Sequence, residues 1–354
     1  MSYLPARARE VVGWARLAGV GLPCELPVVQ APMAGGPSTP ALTAAVANAG
    51  GYGTVAAGYL TADSLREAIA ATRTMTAAPF GVNLFMPSVA GDADEIATYA
   101  AVLQPEAERL AVALGEPRWD DDGYDAKLDV VETARVPLVS FTFGCPAPDT
   151  VERLHRADID VAVTVTSAPE AQLAVDAGAD LLVVQGTEAG GHQACFLDLS
   201  ANHRSLLSAL AEVREMSDVP IVATGGIMTG RDAAAALNTG AIAVQVGTAL
   251  LCTPEAGTSP LYRQALLEAR YDRTILTRAY SGRFARGLAN RFAIEHDRQA
   301  PQAYPEVHHL TRPLRVAATR AGDGSVPNLW AGTGWRALTT EPAATIVQRI
   351  AADA

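Results

Sequence analysis

The chain is poor in cysteine. Its four cysteines, Cys24, Cys145, Cys195 and Cys252, form no CxxC pair and no metal-ligand spacing, and a chain of 354 residues needs no disulfide staples. Reduced thiols are expected, and with them a cytoplasmic setting. Positive charge is scarce too. Twenty-seven Lys and Arg face 38 Asp and Glu, a formal net charge of -11, which argues against nucleic acid as a partner. The opening MSYLPARARE lacks the apolar core of a signal peptide. Between Pro27 and Ala62 charge is missing altogether. That stretch is interrupted by Pro32, Pro37, Pro40 and six glycines, so it does not offer the roughly 20 consecutive apolar residues of a membrane span. Burial inside an α/β domain explains it better. No GxGxxG follows the first predicted strand, which counts against a doubly wound dinucleotide-binding sheet.

What is present is a rhythm. Hydrophobic residues make up 49% of the chain. Short β-branched runs recur at PVVQAPM (27–33), YGTVAA (52–57), PFGVNLF (79–85) and VPLVSFTF (136–143). They continue at DVAVTV (160–165), DLLVVQ (180–185), VPIVAT (219–224) and IAVQVGT (242–248). Most are continuously apolar rather than alternating, the mark of parallel strands covered on both faces. Helical patterns lie between them, at 38–49, 62–75, 95–113, 168–177, 203–216 and 230–238. The turns NAGGYGTV, DAGADLLVV and NTGAIAVQV repeat a helix, a glycine cap and a strand. Eight such units predict a (β/α)8 TIM barrel with a smaller α/β subdomain appended near the C-terminus. The expected division is 1–252 with 326–354 as the barrel and 253–325 as a subdomain over its mouth. Within the latter, the basic segment 278–292 reads equally as a lid or as the contact of a homodimer. EVHHLTRPLRVAATRAGDG reads as a loop, and WDDDGYD (119–125) as a solvated one.

In such a barrel the chemistry lies at the carboxyl ends of the strands. The seventh and eighth ends, ATGGIMTGRD and VQVGT, are small-residue turns. Glycine there lets backbone N–H groups close on a phosphate, and a helix N-terminus would reinforce them. Asn83, Gln185, Gln245 and the backbone around Met33 supply amide donors and acceptors suited to the ring edge of a flavin. In VVQGTEAGGH, Gly190 and Gly191 let a loop fold over the mouth and deliver His192, which could take a proton or hold an anion. A metal held by Glu188 and His192 lacks a third ligand and is not expected. Cys145 has no base beside it and reads as structural. His155, His203, His296, His308 and His309 read as solvated or structural.

Together the strand ends QAPMAGG, PFGVNLF, FTFGCP, VVQGTEAGGH, ATGGIMTGRDAAAAL and VQVGTALL, with LWAGTG near the end, resemble the nitronate monooxygenases. The resemblance runs from about 30 to 335. It implies an FMN-binding barrel in which Asn83, Gln185, Gly190, Gly226, Gln245, Val246, Gly247 and Thr248 hold FMN and Met33 lies against its ring. It puts the catalytic histidine at His192. The implied reaction oxidises alkyl nitronates, and nitroalkanes if His192 removes their α-proton, with O2 to an aldehyde or ketone plus nitrite. One departure is Thr333, where relatives often carry glutamine. FMN-dependent enoyl-acyl carrier protein reductases and NAD(P)H:quinone reductases share several of these stretches and are the competing readings. A non-enzymatic flavin-binding module is a third.

Overall fold

A computed structural model describes residues 22–268 and 270–354. The N-terminal MSYLPARARE and the first residues assigned to the barrel lie outside the described residues. All eight apolar runs become strands. In chain order these are β1 (Val28–Gln30), β2 (Gly53–Ala56), β3 (Phe80–Phe85), β4 (Leu138–Thr142), β5 (Asp160–Val165) and β6 (Leu181–Gln185). After a two-residue β7 (Gly191–His192) outside the barrel come β8 (Ile221–Thr224) and β9 (Ala243–Val246). The barrel order is β1-β9-β8-β6-β5-β4-β3-β2, all parallel. Tyr52 closes the ring by bridging Val29, its backbone donating to Val28 and accepting from Gln30.

Helices lie between the strands: α1 (Pro40–Asn48), α2 (Ala62–Met75), α3 (Ala93–Arg109), α4 (Tyr124–Ala134), α5 (Pro148–Arg156), α6 (Ala168–Asp176), α7 (Leu206–Met216) and α8 (Gly230–Asn238). Thr39, Thr61, Ser167, Ser205 and Thr229 start five of them by accepting a backbone N–H in the first turn. Strand parity then sorts the side chains. In β6, Leu182 and Val184 face the helices, while Leu181 and Val183 fill the barrel interior beside Tyr52 and Val222. Both faces are dry, which is why the runs are apolar without alternation. The same parity turns the last inward residues, Asn83, Thr142, Gln185, Thr224 and Gln245, toward the mouth.

Residues 253–325 carry α9 (Pro260–Leu267), β10 (Thr274–Thr277), β11 (Ala285–Leu288), α10 (Arg291–His296) and α11 (Glu306–Arg320), and α12 (Ala343–Ala352) returns to pack on α1 and α8. The stretch 306–324, loop-like by sequence because of Pro313, is mostly α11. Val307, Leu310, Thr311, Leu314 and Ala318 recur at helical spacing and are buried, and Tyr99 and Leu103 of α3 share their core. Pro313 removes one amide from the helix ladder; nearby, the Gly115 N–H donates to the Leu310 carbonyl at 2.9 Å.

Candidate active site

The carboxyl ends of the strands open into one cavity of about 1240 Å³. One wall is made by the turns after β8 and β9, which are neighbours because those strands pair through Thr224 and Gln245. Gly225 and Gly226 have φ of +123° and +73°, a left-handed turn that side chains disfavour. A Cβ at Gly226 would stand 2.8 Å from that of Glu188. Among the described residues, no hydrogen-bond partner accepts from the N–H of Gly226, Ile227, Gly247 or Thr248, although all four line the cavity. Such a cluster of unpaired backbone donors is a nest for an anion. It differs in one respect from the sequence reading. Asp232 of α8 accepts from the Met228 and Thr229 N–H groups and from the Thr229 hydroxyl, so these two amides, just ahead of the helix, are already engaged. Donors at this spacing, beside Met33, whose sulfur would lie 3.6 Å from a Cβ at Gly247, fit a phosphate monoester.

His192 hangs over the opposite side. Its strand, β7, pairs with β11 through Ala285. Gly190 is required because a Cβ there would sit 2.5 Å from the Gly332 nitrogen, and Gly191 takes φ +75°. Gln185 fastens the loop, donating to the His192 carbonyl (3.2 Å) and accepting from the Ala194 N–H (2.8 Å). Its amide therefore positions the histidine loop with both ends. The imidazole meets the edges of Phe143, Tyr304 and Trp330 at centroid distances of 5.7, 5.7 and 5.5 Å. Its Nε2 lies 2.8 Å from Ser281 Oγ. The Ser281 hydroxyl also lies 3.2 Å from the Arg283 carbonyl, so Ser281 fixes the ring in place whichever member of the pair donates. Burial first, then the guanidinium charges of Arg283 and Arg315, push the imidazole down to about 3.

Neither guanidinium is held by a carboxylate among the described residues. Arg283 lies over the face of Phe143 at 4.2 Å and donates to the carbonyls of Gln193 and Cys195. Arg315 donates to Thr311 Oγ1, the Asn328 side chain and the His308 carbonyl.

His308 and His309 sit on α11 and line the cavity, not a surface loop. His308 stacks on Tyr59 at 4.4 Å, and burial, with the Arg315 charge, pushes it well below its ordinary value. WDDDGYD is not merely solvated. Asp120 meets His309 at 2.8 Å, Asp122 accepts the Tyr59 N–H (2.9 Å) and pairs at 2.6 Å with Lys127, the only lysine in the chain. Sequence reasoning missed this because one-dimensional acidic runs read as solvent-facing, and the partners come from β2's loop, α4 and α11.

Of the residues singled out by sequence, His192, Met33, Asn83, Gln185, Gly190 and Gly226 border the cavity, as do Gln245, Gly247 and Thr248. Val246 does not. Parity turns its side chain into the core, 1% exposed. Asn83 donates to Ser140 and Thr142. Thr333 is exposed, and its N–H donates to Glu188 behind the Gly226 turn. Cys145 lies outside the cavity lining, its thiol pushed up to about 11 by burial, and all four cysteines are free. Tyr59, Phe143, Tyr304 and Arg315 were not singled out. Their only sequence signal was proximity to strand ends or a histidine pair.

Burial depresses three imidazoles, those of His192, His308 and His296, the first two most strongly. His192 and His308 stay neutral in the folded protein at a pH where the unfolded chain binds protons, so stability is intact above about 6.5 and falls below it. Between pH 7.5 and 5.5 the two together should cost about 3 kcal/mol, measured by urea unfolding of the holoprotein. Equal stability at both pH values would show that the rings are not held neutral.

Barrels that keep phosphate donors on their last two strand ends and carboxamides in the layer beneath include the flavin-dependent oxidoreductases of the TIM-barrel class, and this chain is one of them. The family model for nitronate monooxygenase matches residues 22–353. The chain is 38% identical over 339 residues to a probable nitronate monooxygenase of Staphylococcus aureus (strain MSSA476), covering 93% of this chain and 94% of that one. A solved nitroalkane oxidase from Streptomyces ansochromogenes superposes with a TM-score of 0.90 at 49% identity, covering 93% and 96%. FabK from Thermotoga maritima is more distant, with a TM-score of 0.73 at 27% identity over 94% of each chain. The chain belongs to the nitronate monooxygenase family. Among the described residues no helix is long and apolar enough to cross a membrane.

Proposed function

We propose that the flavin is FMN and that the chain oxidises alkyl nitronates with O2 to an aldehyde or ketone plus nitrite, taking neutral nitroalkanes through proton removal at His192. The observation that carries this reading is a buried, neutral imidazole fixed by Ser281, walled by aromatic rings and backed by two guanidiniums with no carboxylate partner among the described residues. Bound FMN would accept electrons from the substrate and deliver them to O2. The N–H groups of Gly226, Gly247 and Thr248 would hold its phosphate, with Asn83 and Gln245 facing the ring, Met33 beside it, and Val246 only setting the turn. Gln185 and Gly190 keep the His192 loop close. The rings of Phe143, Tyr304 and Trp330 exclude water, so that Arg283 and Arg315 act on negative charge developing on the substrate in a weakly screened site. This field offsets the low proton affinity of the imidazole, because the conjugate anion forms beside cations. The four free thiols suit a reducing cytoplasm, where we place the protein.

The test is nitrite release by the FMN-loaded protein from a panel of alkyl nitronates under air. Nitrite that depends on O2 is expected. Rapid anaerobic bleaching of the flavin by NADH, without nitrite release, would point instead to an enoyl-acyl carrier protein or quinone reductase.

A further inference from the structure

In a chain of net charge -11, cations along a cavity wall are conspicuous when no carboxylate answers them. Ten exposed or half-exposed arginines do find one: Arg66, Arg109, Arg118, Arg153, Arg156, Arg204, Arg214, Arg273, Arg291 and Arg349. Arg312, Arg315 and Arg320 of α11 do not, among the described residues, and all three border the active-site cavity. Asp120 and Asp122 border the cavity too, but they answer Arg118, His309 and Lys127. Their spacing follows one side of the helix, with His308 a turn before Arg312 and Thr319 between Arg315 and Arg320. At 1.5 Å per residue, the row from Arg312 to Arg320 spans about 12 Å. Its middle member, Arg315, is close enough to depress the His192 imidazole, and the exposed Arg312 and Arg320 lie on either side of it along the helix. Burial and the charge of Arg312 bring Arg315 down only to about 10, so it is cationic at neutral pH. Arg315 has neutral hydrogen-bond partners, and among the described residues Arg312 and Arg320 have none.

We propose that Arg312, Arg315 and Arg320 form an anion path that draws negatively charged substrate against the protein's own repulsive field and selects it over the neutral form. Arg320 and Arg312 raise the local concentration of anion at the rim, and Arg315 holds the negative group within reach of the His192 chamber. The class of ligand is a small organic or inorganic anion. Its identification with a nitronate rests on the function proposed above.

The experiment compares the FMN-loaded wild type with an Arg312→Glu/Arg320→Glu double variant. Both positions are exposed, so folding is not at stake. Nitrite release is followed from an alkyl nitronate and from its parent nitroalkane at low and high salt. At low salt, kcat/KM for the nitronate relative to the nitroalkane should fall about tenfold, and the difference should close at high salt. A ratio that does not move, or a change indifferent to salt, overturns the path. A second arm titrates inorganic nitrite into the holoprotein and reads the visible spectrum of the flavin. Arg315→Met should weaken nitrite binding about tenfold, and Arg315→Lys should restore most of it. Equal binding by wild type and Arg315→Met overturns the role of Arg315. This arm needs no turnover. A wild type that binds nitrite through Arg315 yet releases none from nitronates would refute the proposed reaction and leave the anion path standing.

Discussion

Gly226→Val is expected to purify without colour. The position has φ +73°, where a β-branched residue is strained by about 1–3 kcal/mol. Its Cβ would also meet that of Glu188 at 2.8 Å, and Glu188 cannot withdraw freely because its carboxylate accepts the Leu206 N–H at 3.0 Å. The turn must therefore open. Opening it misaligns the Gly226 and Ile227 donors, and each hydrogen bond to a charged group contributes about 1.5–3 kcal/mol. Together these effects amount to roughly 3–5 kcal/mol, or about a 10²- to 4 × 10³-fold loss of FMN affinity. Visible absorbance of the purified protein, followed by titration with free FMN, measures it directly. Circular dichroism like that of the wild type separates lost affinity from lost fold. A folded variant as yellow as the wild type would remove the Gly226 turn from the phosphate site.

The second large effect is expected at His192. His192→Asn keeps a polar group of similar reach at the end of β7 but removes the basic ring nitrogen. Turnover of neutral nitroalkanes, which need proton removal, should drop about 10²-fold or more. Turnover of preformed nitronates loses only one positioning contact and should drop about tenfold or less. Because burial and the Arg283 and Arg315 charges hold the imidazole near 3, the wild-type rate on nitroalkanes should show no His192 inflection between about pH 5 and 9. Equal losses on both substrates would leave His192 with a positioning role only.

The barrel was legible because its strands are buried on both faces. DVAVTV (160–165) coincides with β5, and the other seven runs differ from their strands only at the ends. A glycine pair after a strand is equally local, so the Gly225–Gly226 turn could be read as a cradle. Val246 shows where motif reading stops. It lies inside VQVGT, but a period of two sends alternate side chains to opposite faces, and Gln245 took the inner one. Gln185 borders the cavity, yet its amide is consumed by its own loop.

The stretch 306–324 fails for a different reason. Pro313 and two histidines suppress local helix propensity, and the helix exists because Val307, Leu310 and Leu314 share a core with α3, some two hundred residues earlier in the chain.

What the sequence determined by itself was everything set by short-range pattern: eight apolar strand runs, their glycine turns, and the histidine that follows the Gly190–Gly191 pair. What only the tertiary structure decided was which charges meet. Electrostatic partnership depends on distance through space, so no pattern along the chain could show that Asp120 answers His309, that Asp122 answers Lys127, or that the arginines of α11 are left facing the cavity without a carboxylate among the described residues.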